Sequence, residues 1–249
     1  MMLHKDTPKL LYSAQANGII WKIEVDDELG IMVWETRYPD KRLSFSAYDF
    51  INEKFLVVDK ELIDESLISL SFTLKGIIFF KVQESENLPT FKGIIAFNLY
   101  TQKIQWENYS ITIQQQAKEG VLVFNPKIFP RNFELLNQEN GQFIRKINLK
   151  DFSTLGVIHS DILLPEVIHK EFENSSINLL NHKGLTIKSQ LETHDDILKN
   201  SISILEGYQL IFKDYLNNNI QKLAFHTFFV WQDRLVYIKN KSEIVTYLV

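Results

Sequence analysis

Two stretches of the chain superimpose residue for residue. Ala47-Tyr48-Asp49-Phe50 matches Ala96-Phe97-Asn98-Leu99, and each is followed by a polar turn that ends on lysine, Lys54 or Lys103. A second apolar run comes next, Phe55-Leu56-Val57 in one copy and Ile104-Gln105-Trp106 in the other. Short apolar runs bounded by turn residues read as strands, so each copy is a hairpin. A looser copy is Leu135-Leu136-Asn137, then Asn140-Gly141, then Gln142-Phe143-Ile144. Its Asn-Gly pair accepts the positive φ of a tight turn. Fainter outlines follow at Leu179-Leu180-Asn181 and at Val236-Tyr237-Ile238. The five anchors, 49, 98, 137, 181 and 238, are spaced by 49, 39, 44 and 57 residues.

Repeats of roughly 40–50 residues with several strands each are the mark of propeller blades. The expected fold is therefore all-β, a single β-propeller-like domain over residues 1–249 with five blades of about four strands. A two-sheet β-sandwich, or an irregular β-domain with one short helix, is the alternative. Four strands are expected in the first blade at Gly18 to Val25, Leu29 to Arg37, Leu43 to Asp49 and Lys54 to Asp59. In the second, Gly76 to Phe80 precedes the anchor. Tyr208 to Lys213, Ile220 to Trp231, Arg234 to Lys239 and Glu243 to Leu248 are expected to form the last. Leu10-Leu11-Tyr12 is placed to add a strand to that last blade. Thr193 to Leu205 reads two ways: capping aspartates and one apolar face suit a helix, and the alternation Ile202-Ser203-Ile204 suits a strand.

The chain has 249 residues, 45% of them hydrophobic, enough to bury a core without staples. It has no cysteine, which excludes disulfides and thiolate chemistry. Its formal net charge of −4 and the lack of a dense Lys/Arg cluster argue against nucleic acid as a partner. No stretch approaches the roughly 18 apolar residues of a membrane span, and no apolar leader is evident, so no membrane partner is expected. A soluble cytoplasmic protein is the expectation.

No motif assigns a reaction. The six histidines, His4, His159, His169, His182, His194 and His226, show no metal-binding spacing. His194-Asp195-Asp196 is the richest cluster, and a solvated loop is its plainer reading. His159-Ser160-Asp161 holds the residue types of a hydrolytic triad, but neighbours on an extended chain point to opposite faces. There is no nucleophile elbow, phosphate loop or dinucleotide fingerprint. Glu24, Asp26, Asp27 and Glu28 form an acidic turn that could take a cation or simply face water. Trp21, Trp34, Trp106 and Trp231 sit in apolar strands, where packing is the default. Trp231, beside Gln232-Asp233, could instead stack a ligand at a rim. No catalytic, cofactor-binding or metal residue is assigned, and no cofactor is expected.

The outline Gly93-Ile94-Ile95-Ala96-Phe97-Asn98-Leu99 followed by Lys103-Ile104-Gln105-Trp106-Glu107-Asn108 resembles the quinoprotein-like (PQQ-type) propeller repeat. Ile20-Trp21, the run from Ser44 to Phe50, this outline, and the block from Phe133 to Gly141 together resemble a family of short bacterial proteins catalogued as a domain of unknown function. The resemblance implies a propeller and no activity. Eight blades, as in quinoprotein dehydrogenases, would need about 360 residues. The function expected is a non-catalytic module that binds a protein or a small molecule. The alternative is a propeller hydrolase, lactonase-like or glycan-cleaving, whose site is assembled from residues distant in sequence.

Overall fold

A computed structural model of the chain describes residues 7–62, 67–85, 88–156, 161–170, 175–194, 197–218 and 227–249. Among these residues the protein is all-β apart from one short 3-10 helix, Leu149–Thr154. The chain gathers into two compact units, Ile20–Ser160 and Met1–Ile19 with Asp161–Val249.

The first strand, β1 (Lys9–Gln15), belongs to the second of these units. Ile20–Ser160 holds three antiparallel meanders of four strands each. The first is β2 (Ile19–Asp26), β3 (Ile31–Arg37), β4 (Leu43–Asp49) and β5 (Lys54–Lys60). The second is β6 (Ile68–Leu74), β7 (Ile77–Ser85), β8 (Leu88–Asn98) and β9 (Lys103–Asn108). The third is β10 (Thr112–Ala117), β11 (Gly120–Phe124), β12 (Phe133–Leu136) and β13 (Phe143–Ile147). Each neighbours the next in sequence, as short connections favour. Ile31, Val33, Phe45, Ala47 and Val57 of the first sheet pack on Ile68, Leu70, Ile78, Phe80 and Val82 of the second. The other face of the second sheet, with Phe72, Ile77 and Phe79, packs on Ile113, Val121 and Val123 of the third. The middle strands are buried on both faces, which is why their sequences are continuous apolar runs rather than alternating ones.

The two matched repeats and the looser third are one device used three times. The Asx residue ends the third strand of the first two sheets and directly follows it in the third, and its Oδ1 accepts two backbone N–H groups in the turn. Asp49 takes those of Ile51 and Asn52, Asn98 those of Tyr100 and Thr101, and Asn137 those of Glu139 and Asn140. Four residues after the Asx, Glu53, Gln102 and Gly141 all have positive φ, at 50°, 53° and 69°. These Asx turns satisfy backbone donors that no ladder reaches. In the first two sheets the next N–H, of Phe50 or Leu99, donates to the carbonyl of Gly30 or Gly76, each at 3.0 Å. Both glycines have positive φ, and a Cβ at Gly76 would meet the Tyr100 ring at 2.5 Å. Only glycine fits there without strain. The turns also tie the sheets together: Gln102 donates to Leu56 O, and Trp106 Nε1 donates to Gln138 O at 2.9 Å.

The other unit holds two five-stranded antiparallel sheets. One is β15 (Glu166–Lys170), β16 (Ser175–His182), β17 (Leu185–His194), β18 (Ile197–Glu206) and β19 (Gln209–Asn218). The other joins β14 (Ile162–Leu163), β20 (Phe228–Trp231), β21 (Arg234–Lys239) and β22 (Glu243–Leu248) to β1. Leu10 and Tyr12 pair with β22, as the expected added strand. Tyr208 to Lys213 falls in the fourth sheet rather than the last. Thr193 to Leu205 is strand on both sides of 195–196, so the alternation outweighs the helical face. The faint anchors at 181 and 238 sit at hairpins of two and three loop residues, with positive φ at Lys183 and Gly184 and at Asn240 and Lys241. They lack the Asx turn, which explains why their likeness is weak. Five antiparallel sheets of four or five strands, the last completed by the N-terminal strand, make an architecture consistent with a small β-propeller.

Candidate functional site

Within Ile20–Ser160, antiparallel pairing sets the Asx turns at one end of each sheet and the loops 38–42 and 125–132 at the other. At the loop end a cleft of about 410 Å3 opens between the first and second sheets. Arg37, Tyr38, Lys41 and Arg42 form one wall, with Gln83 and Phe91 opposite. Among the described residues three cations line it and no carboxylate does.

Most of this charge is answered nearby. Arg42 pairs with Asp40 and with Glu61, each at 2.7 Å. Its hydrogen bond to Arg42 holds Asp40 below the usual carboxylate range. The Arg42 guanidinium also lies 4.6 Å over the Tyr38 ring. Tyr38 Oη and Ser44 Oγ both donate to Asp59 Oδ1. Burial, then the bond to Asp59, raises the Tyr38 pKa, so its hydroxyl stays protonated.

Arg37 differs. Glu35, fully buried in β3, accepts from Arg37 Nε at 2.7 Å and from Leu70 N–H of the second sheet at 2.8 Å. Glu35 and Arg37 are two apart on a strand and so share a face. The guanidinium lies 4.2 Å over the ring of Trp21, which is 60% exposed. With Nε bonded and the guanidinium seated on the ring, its position is set. Among the described residues no acceptor takes Nη1 or Nη2. That leaves the two-pronged donor that matches a carboxylate or a phosphate. The Ser69 hydroxyl on the same lining has no partner among the described residues either.

The surroundings add positive potential. Lys81 lies 5.9 Å from the centre of the Phe91 ring. Burial, and then Lys22, hold its pKa below the usual lysine value, and among the described residues it has no carboxylate partner. Lys22 pairs with Glu24 at 2.8 Å and donates to the carbonyls of Leu70 and Ser71, at a bulge in β6. Glu35 and Lys22 thus fasten that bulge from both sides of the peptide.

The residues singled out in the sequence lie elsewhere. Asp26 in the acidic turn accepts from Leu29 N–H and from Gly76 N–H of the second sheet, and its burial raises its pKa. It is a structural acceptor, and among the described residues no group of three or more His, Cys, Asp or Glu is placed to hold a metal. Trp231 is fully buried with Arg234 over its ring, so it does not stack a ligand at a rim. Trp34 and Trp106 pack as expected, and Trp21 is the exposed one. His169 bonds Ser176 across the β15–β16 pair, and His182 lies 3.4 Å from Asp233. His4, His159, Ser160, Asp195, Asp196 and His226 lie outside the described residues, and His194 ends β17. Glu35 and Arg37 went unremarked in the sequence. Their signal was a carboxylate inside the otherwise apolar run Ile31-Met32-Val33-Trp34.

Residues 25–106 match the profile of a family described as Domain of unknown function (DUF4905). That segment takes in both of the best-matched Asx turns and Arg37. No curated protein matches the chain at a significant level. Among solved structures, BamB from Moraxella catarrhalis is similar at 10% identity and a TM-score of 0.37, covering 93% of this chain and 85% of that one. Kluyvelomyces marxianus Hsv2 is similar at 8% identity and a TM-score of 0.38, covering 92% of this chain and 97% of that one. A Pyrococcus horikoshii acylaminoacyl peptidase is similar at 13% identity and a TM-score of 0.35, covering 88% of this chain and 34% of that one.

Proposed function

We propose that the protein is a non-catalytic binding module whose cleft between the first two sheets receives an anionic group, a carboxylate or phosphate, of its ligand. The observation that carries this reading is Arg37: Nε held by buried Glu35, guanidinium seated on Trp21, and two terminal nitrogens with no acceptor among the described residues, at the wall of a cleft whose described lining holds no carboxylate. Fixing a donor before the ligand arrives lowers the ordering cost of binding. The hydrolase alternative would need convergent carboxylates or histidines, and no such arrangement among the described residues speaks for it.

The test is calorimetric titration with inorganic phosphate, citrate and a neutral sugar. The anions are expected to bind and the sugar not to. Arg37→Lys keeps a charge beside Glu35 but loses the fork, which separates lost binding from lost folding. It is expected to weaken the anions by about tenfold, the worth of one charge-assisted hydrogen bond. No anion binding, or an unchanged affinity in R37K, overturns the reading. Asp64 and Glu65 fall between Leu62 and Leu67 in the sequence, outside the described residues. Binding that emerges only in D64N/E65Q would mean the cleft's cations serve the chain itself, and would also overturn it.

A further inference from the structure

Loop 125–132 joins β11 to β12 and carries Ile128 and Phe129 at its tip. Phe129 is 94% exposed and Ile128 47%. The loop is held, not slack: Asn125 Oδ1 accepts from Lys127 N–H at 2.9 Å, and the Asn125 carbonyl accepts from Ile128 N–H at 3.2 Å. The Arg131 guanidinium lies 4.5 Å over the ring of Phe124, where the loop leaves β11. Leu149, 71% exposed, follows β13, whose Ile147 pairs with Phe133 at the start of β12. All three apolar side chains therefore stand at one end of the third sheet, with Lys127, Arg131 and Lys150 among them. Among the described residues the carboxylates at this end are Glu84, 3.9 Å from Lys127, Asp151, bonded to the Asn148 side chain, and Glu134, one residue into β12 and opposite Lys146.

This end is also the end of the cleft. Gln83 lines the cleft, and the next residue, Glu84, is the one that Lys127 approaches. Apolar side chains held outward among cations match a lipid–water interface, where the apolar groups enter the acyl boundary and the cations lie level with phosphates. The chain's net charge of −4 opposes approach to an anionic surface, but screening at physiological salt limits that field to about 8 Å, so the local cations decide. No helix among the described residues is long and apolar enough to cross a membrane, and lying on a surface requires none.

We infer that this end of the Ile20–Ser160 unit docks on an anionic lipid surface, with Ile128 and Phe129 entering the interface and the Arg37 fork taking a headgroup phosphate. The second half of this inference rests on the anion-binding reading above. The test is flotation with vesicles of phosphatidylcholine alone, with added phosphatidylserine, or with added phosphatidylinositol monophosphate. The protein is expected to float with both anionic compositions and not with the neutral one, less so as salt rises. Phe129→Ser is expected to cut vesicle binding about tenfold or more, the worth of one buried aromatic side chain, with thermal unfolding and phosphate affinity unchanged. R37K is expected to weaken the phosphoinositide vesicles selectively. Phosphate binding in solution without flotation overturns lipid docking and leaves the anion cleft standing. Loss of both overturns both. Flotation that F129S does not diminish also overturns the docking.

Discussion

Replacing Glu35 removes a bond within the first sheet and a bond between two sheets at once. The carboxylate is fully buried, and each oxygen accepts one hydrogen bond, from Arg37 Nε and from Leu70 N–H. Hydrogen bonds to a charged group contribute about 1.5–3 kcal/mol each. The bond to Leu70 is wholly buried and takes the full range. Arg37 is more than a third exposed, so its bond is discounted by about half for solvent screening. Glu35→Ala therefore costs about 3–4 kcal/mol, in the range seen when one partner of a buried pair is lost. Glu35→Gln keeps one acceptor but turns an NH2 toward a donor, at about half that cost. For a chain of this length about 3 °C of Tm accompanies each kcal/mol, so E35A should melt about 10 °C lower and E35Q about 5 °C lower. Circular dichroism at neutral pH reads both, and calorimetry with phosphate should show weaker binding in E35Q because Arg37 loses its anchor. A Tm within about 2 °C of wild type for E35A would refute the claim that this carboxylate fastens the sheets.

The Asx turns give two further expectations. Asn98→Ala removes the acceptor of two backbone N–H groups, each at 2.9 Å, and should cost about 1–2 kcal/mol, as loss of a cap does, with N98D close to neutral; urea unfolding reads the difference. Asp49 is subject to burial, which raises its pKa, but the bonds from the Asn52 side chain and the turn N–H groups outweigh it and bring it below the ordinary 3.8. Ionised Asp49 thus stabilises the fold above that ordinary value, and the contribution is lost as pH falls through the lower folded value. The stability gap between wild type and Asp49→Asn should be full near neutral pH and close as pH drops below 3.8, and equal acid limbs at all pH values would contradict it.

The hairpins were legible because their signal is local. Asp49 and Asn98 close their own turns, and the residues they bond are two and three positions on, so the matching letters report matching geometry. The four strands of the first sheet were readable to within two residues for the same reason. The cleft was not readable. Its walls come from loop 38–42 and from strand residues between Leu67 and Phe91, and only pairing across sheets brings them together. Glu35 lay in plain view as a charge among Ile31, Met32, Val33 and Trp34, but its role depends on Leu70, thirty-five residues on. Trp231 and Trp21 show the same limit from the other side. Both sit in apolar runs, and one is fully buried while the other faces water, because burial is decided by the neighbouring sheet rather than by the strand.

The three Asx turns and their cross-links occupy one end of the Ile20–Ser160 unit, and the cleft and the Phe129 loop occupy the other. Loops 38–42 and 125–132 each begin and end on residues already paired in a sheet, so their composition can drift without touching a hairpin. Divergence should therefore be lopsided. A profile built on Asp49, Asn98 and the runs around them recognises the half of the molecule that holds it together. It would gather chains that share this framework whatever stands in their loops, and residues 25–106, which match the family profile, contain both kinds of residue side by side. On the anion-cleft and lipid-docking proposals, sorting relatives by what stands at 37 and at 128–129, rather than by the strength of the hairpin signal, would divide them by ligand.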